Sequence, residues 1–103
     1  MIVRTWSARA NEAGAEDYRN YFEKTLLPEL RELRGFAGAL LLSREVDGLV
    51  ELTAHTMWES VDAIRAFAGE DVTAAKVEPE ALAMLVESDS TVTHRTALLA
   101  ETR

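Results

Sequence analysis

The 103-residue chain contains no cysteine. That excludes disulfides, thiol nucleophiles and thiolate metal sites. It has only two histidines, too sparse on their own for a metal site, which usually draws on three or four ligands. The glycine loops that cradle phosphates or dinucleotides are absent, as are His-Glu-x-x-His and Gly-x-Ser-x-Gly; nucleotide-binding, zinc-protease and serine-hydrolase readings lose their usual support. Long apolar runs are missing too. The longest, around AGALLL and ALLA, fall far short of the ~20 residues a membrane helix needs. The opening MIVRTWSARA holds no stretch suited to a signal peptide, so a cytoplasmic protein with no membrane role is expected. A basic surplus is also missing: 11 Lys and Arg face 18 Asp and Glu, for a net charge of -7. Nucleic acids and anionic membrane surfaces would repel such a chain. The acidic residues are spread along the sequence and read as a solvated surface.

What is present describes one globular domain over residues 1–103. Hydrophobic residues make up 48% and charged residues 28%, the balance of a protein with a buried core. Residues 2–9 alternate and start with β-branched side chains, the mark of a strand. From Glu16 the period changes: Tyr18, Phe22, Leu26, Leu30 and Leu33 recur at helical spacing. Pro28 interrupts this run and predicts a break or kink, with Pro28 opening a second short helix. Residues 38–46 form a second strand, Asp47-Gly48 is a hairpin turn, and residues 49–58 form a third strand. Ser60 caps the next helix, which Gly69 ends. Pro79 opens another helix over PEALAMLVE, and residues 90–99 form the last strand.

The order strand, helix, strand, strand, helix, strand is the split βαβ pattern of an α+β, ferredoxin-like sandwich with a four-stranded antiparallel sheet. Both helices pack on one face of such a sheet. The other face is not wholly polar, because GALLL is apolar on both sides of its pleat. A second copy of the same sheet is the simplest cover, so a homodimer closing into a barrel is expected.

Within that frame a few side chains stand out. Leu52, Ala54, Thr56 and Trp58 share one face of the third strand; Thr53, His55 and Met57 share the other. Only one set can face the cavity between the two sheets, and Trp58, which ends the strand and can close a pocket mouth, is the expected one. Arg4 lies near the middle of a central strand, where an unpaired guanidinium is costly. It needs a carboxylate, an open cavity or a bound anion. His94 shares a face of the last strand with Val92 and Thr96, and an imidazole can take a proton near neutral pH.

The opening MIVRTW, the segment MWESVDAIRAFAGEDV and the late VTHR resemble the antibiotic biosynthesis monooxygenase superfamily across nearly the whole chain. The most specific part is Trp58-Glu59-Ser60 followed by the helix Ala63–Phe67. The resemblance implies a dimeric α+β barrel. It also implies activities of two kinds: oxidation of phenols by dioxygen without metal, flavin or other prosthetic group, and haem degradation. The family's strand-three tryptophan falls on Trp58. The asparagine that phenol-oxidising members place four residues earlier is Ala54 here. The asparagine and histidine of haem-degrading members have no counterpart among Arg4 to Trp6 or Ile64 to Ala68, so that activity is not expected. The resemblance therefore leads to a cofactor-independent monooxygenase acting on a small aromatic phenol or quinol. Arg4 and His94 are the expected catalytic pair, as anion stabiliser and base, with no metal. Trp58, Trp6, Tyr18 and Thr56 are the expected substrate contacts. The alternatives are a non-catalytic ligand-binding or regulatory dimer of the same fold, or an oxygen-independent isomerase or cyclase.

Overall fold

A computed structural model describes all residues, 1–103. Strand β1 (Ile2–Ala10) leads into α1 (Glu12–Tyr21). Asn11 caps that helix, its side chain accepting from the Gly14 amide at 2.8 Å. A π-helical turn (Phe22–Leu26) and α2 (Leu27–Arg31) follow. The hairpin strands are β2 (Phe36–Val46) and β3 (Leu49–Trp58), and then come α3 (Val61–Ala68), the short α4 (Pro79–Leu82), β4 (Glu87–Ser88) and β5 (Thr93–Thr96). The sheet runs β2-β3-β1-β4, with β5 also on β1, all antiparallel. It is the ferredoxin-like α+β arrangement expected from the element order, with β1 and β3 central.

One local expectation is met in an altered form and two need correction. Pro28 does stand in the first turn of a second short helix, as expected, but the chain reaches it without a break. The run stays helical throughout, and the Leu27 amide donates to the Phe22 carbonyl, five residues back. Pro28 has no N–H for the Lys24 carbonyl and its ring crowds that group; widening the preceding turn removes the conflict without ending the helix. The helix at Pro79 is four residues long, because the chain leaves it to pair with β1 through the Val86 amide on the Arg9 carbonyl at 2.8 Å. The last strand is split. Between β4 and β5, the Ser90 carbonyl accepts from Ala75 and the Val92 amide donates to Thr73, both at 2.9 Å, so the 73–75 loop diverts the chain. The Asp47-Gly48 turn is as expected, with φ of 52° and 79°. No helix is long and apolar enough to cross a membrane.

The core lies between the helices and one face of the sheet. Trp58, Leu30 and Ile64 are fully buried at one end. The Trp58 ring stacks on Phe67 at 5.7 Å and meets Phe36 edge-on at 5.4 Å. Trp6, Tyr18, Tyr21, Phe22 and Leu52 belong to a second cluster with the small residues Ala8, Ala10 and Ala54. Leu52, Ala54, Thr56 and Trp58 are all buried on this helix-covered face.

That arrangement reverses the expected side for Trp58. The large indole needs the thick helix layer to bury it completely. His55 takes the opposite, open face, where Thr5 Oγ1 lies 2.9 Å from its Nδ1. Ser7 and Thr53 pair beside it at 3.0 Å. Opposite His55 and Thr53 in the β2 register stand Leu40 and Leu42, which remain 52% and 44% exposed. The open face is thus a short polar ladder flanked by exposed leucines.

Candidate functional site

The strand register builds the site. Arg4 on β1 is opposite Thr56 on β3 and His94 on β5. Three strands therefore bring one guanidinium, one hydroxyl and one imidazole into a row on the helix-facing side. Arg4 is only 4% exposed, and burial holds its pKa below the ordinary arginine value.

The arginine's partners carry no negative charge. Nη1 donates to the Val72 carbonyl at 2.5 Å and lies 3.1 Å from His94 Nε2; Nη2 donates to the Ala74 carbonyl at 2.9 Å. A guanidinium has five N–H donors, so three are used and two remain. A guanidinium has no lone pair to offer, so His94 Nε2 is the acceptor of the 3.1 Å contact. The imidazole is then neutral and carries its proton on Nδ1. Burial first, and then the charge of Arg4, hold the His94 pKa below its usual value.

Beside this row lies a partly open cavity of about 60 Å³. Arg4 and Thr56 line it with Trp6, Tyr18, Tyr21, Phe22 and Phe67. Leu26, Leu30, Ala54 and Val92 add apolar wall, and Glu29, Lys76 and Glu78 bring charge to it. Arg4 and Lys76 sit over the same Phe67 ring, 6.0 and 5.0 Å from its centroid. Two cations therefore flank one aromatic wall. The Tyr18 hydroxyl is held well above its ordinary pKa by burial, with Tyr21 adding to it. Tyr21 is raised by burial first, then by Glu78, Glu29 and Glu80. Both phenols stay protonated near neutrality.

Of the residues singled out in the sequence, Arg4, Trp6, Tyr18 and Thr56 line this cavity together. Trp58 is behind the wall, not in it. Its Nε1 donates to Thr56 Oγ1 at 2.8 Å, so it acts on the cavity through that hydroxyl, whose own proton is left to point elsewhere. Trp6 Nε1 is tied to the Asp89 carbonyl at 2.9 Å, which fixes its ring. His94 lies on the far side of Arg4 and faces a separate cavity of about 220 Å³ with Ile2, Val61, Ile64, Val72, Arg95 and Thr96. Phe67, Lys76 and the second tyrosine were not singled out as ligand contacts. Phe67 was visible as an apolar position of α3, whereas nothing in the loop around Lys76 marks it before folding. No group of three or more His, Asp or Glu side chains is gathered closely enough for a metal ion.

No protein-family model and no curated protein sequence matches the chain. Solved structures do match it in shape. A proposed antibiotic biosynthesis monooxygenase from Bacillus cereus superposes with a TM-score of 0.67 at 17% identity, over 100% of this chain and 98% of the other. A dimeric ferredoxin-like protein from an uncultured marine organism gives 0.63 at 12% identity, over 97% of each chain. A monooxygenase from the ActVA-Orf6 gene of Streptomyces coelicolor, solved with the ligand nanaomycin D, gives 0.58 at 19% identity over 97% and 92%. At these identities the likeness is one of architecture. The chain has the same ferredoxin-like fold as these structures.

Proposed function

We propose that the helix–sheet cavity binds a small aromatic phenol or quinol as its anion, and that the protein promotes its oxidation by dioxygen without a cofactor. The observation that carries this reading is Arg4, a buried cation with no carboxylate and two uncommitted N–H groups at an aromatic-lined cavity. A buried charge of this kind is costly unless something anionic meets it. Thr56, with a lone pair filled by the Trp58 indole, has a hydroxyl proton to offer the same oxygen. Trp6, Tyr18 and Phe67 supply flat apolar walls for a ring. A volume of about 60 Å³ restricts the ligand to a small one unless the lining moves.

The chemistry follows from stabilising a phenolate in a dry site. The bound anion is electron-rich, and its ring carbon para to the oxygen forms a bond to dioxygen. For a phenol with a hydrogen at that carbon, its loss as a proton, with cleavage of the O–O bond, leaves a quinone and one water; a quinol instead gives two electrons and two protons to O₂, leaving a quinone and H₂O₂. For 1-naphthol the balance is one naphthol and one O₂ to one naphthoquinone and one H₂O. Arg4 and Thr56 hold the phenolate and thereby lower the phenol's pKa. His94 Nε2 is occupied by Arg4, so the proton leaves to water. The same occupancy favours a second reading, in which the cavity only binds an anionic ligand. The active unit is a cytoplasmic homodimer whose open sheet faces, with Leu40 and Leu42, cover each other.

The test is oxygen uptake by chelator-treated protein with a panel of quinols, naphthols and anthrones. Uptake that survives metal removal and is lost in Arg4→Met and Thr56→Val supports the oxygenase. Saturable binding of phenols without uptake above autoxidation replaces it with the binding reading. Unaltered binding in Arg4→Met removes both.

A further inference from the structure

The cavity beside Arg4 leaves one titratable group unused. His94 touches no space inside that cavity, yet it is the only side chain that hydrogen-bonds the guanidinium. We infer that His94 is a positioning residue: its neutral Nε2 accepts from Arg4 and aims the two free N–H groups at the ligand, and protonation of the ring releases that aim. The inference rests on reading Arg4 as the group that binds the ligand's anion.

Geometry supplies the argument. The Val72 and Ala74 carbonyls each take one N–H from opposite nitrogens, and His94 takes a second from Nη1 at 3.1 Å. Planarity then fixes where the remaining Nε and Nη2 hydrogens point. An imidazolium has no lone pair for Nη1 and repels it, so the third anchor is lost and the guanidinium turns about the other two. No other group compensates. The charged groups around His94 are Arg4 from β1 and, on its own strand, Arg95 at the rim of the 220 Å³ cavity; α3 presents Val61 and Ile64, and the preceding loop presents Val72. There is no carboxylate to stabilise the imidazolium. Its depressed pKa, from burial and Arg4, agrees with a ring kept neutral for this purpose.

The side-chain length of the acceptor separates this role from a merely structural one. The amide of Gln reaches the position of Nε2, whereas that of Asn stops near Nδ1. The probe is benzoate, an anion that stays ionised across about pH 5 to 8, the range in which histidine changes charge. Its affinity is measured by calorimetry for the wild type, His94→Gln, His94→Asn and Arg4→Met. We expect His94→Gln to bind within about twofold of wild type and His94→Asn about tenfold more weakly at pH 8, the scale of one charge-assisted bond. Wild-type affinity falls as pH drops toward 5, while that of His94→Gln stays flat. Equal affinities for the Asn and Gln variants overturn the inference, as does a wild-type affinity that is flat or rises on acidification. If the wild type takes up no benzoate, or Arg4→Met binds it as well, the anion reading of Arg4 falls and this inference with it.

Discussion

Replacing Arg4 with Met asks whether this arginine is there for the fold or for a ligand. The side chains are similar in length, so the change removes charge and donors while roughly keeping volume. Two large effects oppose each other. Three hydrogen bonds are lost, each worth about 1.5–3 kcal/mol when a charged group is involved. Against this, the protein no longer holds a guanidinium that is 4% exposed, and the desolvation cost of a buried ion is on the order of several kcal/mol. Val72 lines the cavity on the His94 side, so its carbonyl can be rehydrated. We therefore expect a net change in folding stability within about 2 kcal/mol of zero, or roughly 8–16 °C at most in Tm for a domain of this size. Anion binding should behave very differently. Losing two directed N–H groups and their charge should weaken benzoate or phenolate binding by about 10²-fold or more. Urea denaturation and calorimetry on the same samples give both numbers. A loss of 4 kcal/mol or more, the scale seen when a buried ion pair is broken, would refute the reasoning and make Arg4 structural.

Trp58→Phe keeps a ring against Phe36 and Phe67 but removes the donor to Thr56; a stability loss of about 1–3 kcal/mol from the bond and the missing ring should come with weaker phenol binding, and unchanged binding would disconnect Trp58 from the cavity. Because His94 titrates lower in the folded chain than in the unfolded one, the unfolded chain binds its proton first. Stability is therefore complete above the ordinary histidine value of about 6.5 and declines as pH falls below it. His94→Gln should flatten that part of the urea-midpoint profile, and an identical slope in the variant would remove His94 as the cause. Leu40→Lys places a charge on the open sheet face beside His55; light scattering should show a protomer mass where the wild type shows twice that, and a wild type that is itself monomeric discards the sheet-to-sheet dimer.

Much of this architecture was legible because its signals are local. The alternation of Ile2 to Arg9, the Asp47-Gly48 turn and the Ser60 cap each depend on neighbours in sequence, and the structure uses all three. The row Thr56, Arg4 and His94 was legible only in part. Each residue could be assigned to a strand, but their meeting depends on register across three strands, which periodicity alone does not set. The side chosen for Trp58 went wrong for a related reason. Alternation groups Trp58 with Thr56, Ala54 and Leu52 correctly but does not say which group the helices cover. The polar set Thr53, His55 and Met57 held the answer: hydroxyls and an imidazole fit a face where Thr5 and Ser7 can pair with them, not one under an apolar helix layer. Lys76 was illegible, since a loop brings it to Phe67.

The unbroken helix at Pro28 has the most to teach about the cavity. Tyr18, Phe22, Leu26 and Leu30 are spaced by four, but an α-helix turns about 100° per residue, so each step of four drifts about 40° and Leu30 would end up about 120° from Tyr18. All four nonetheless line one cavity. The extra residue in the π turn at Phe22–Leu26 takes back about 100° and realigns them. Packing alone could therefore demand the wide turn, with Pro28 merely tolerated by it. Pro28→Ala separates the two causes. If packing is in command, the variant keeps the π turn, Leu30 stays fully buried against Trp58, and stability moves by less than about 1 kcal/mol. If the proline imposes the turn, restoring the amide lets an ordinary α-helix form, with a gain approaching the roughly 3 kcal/mol that proline costs in a helix interior. In that case Leu30 rotates out of line and phenol binding falls. A crystal structure of the variant with its urea midpoint decides between them, and a straightened, stabilised helix would overturn the view that the cavity wall dictates the turn.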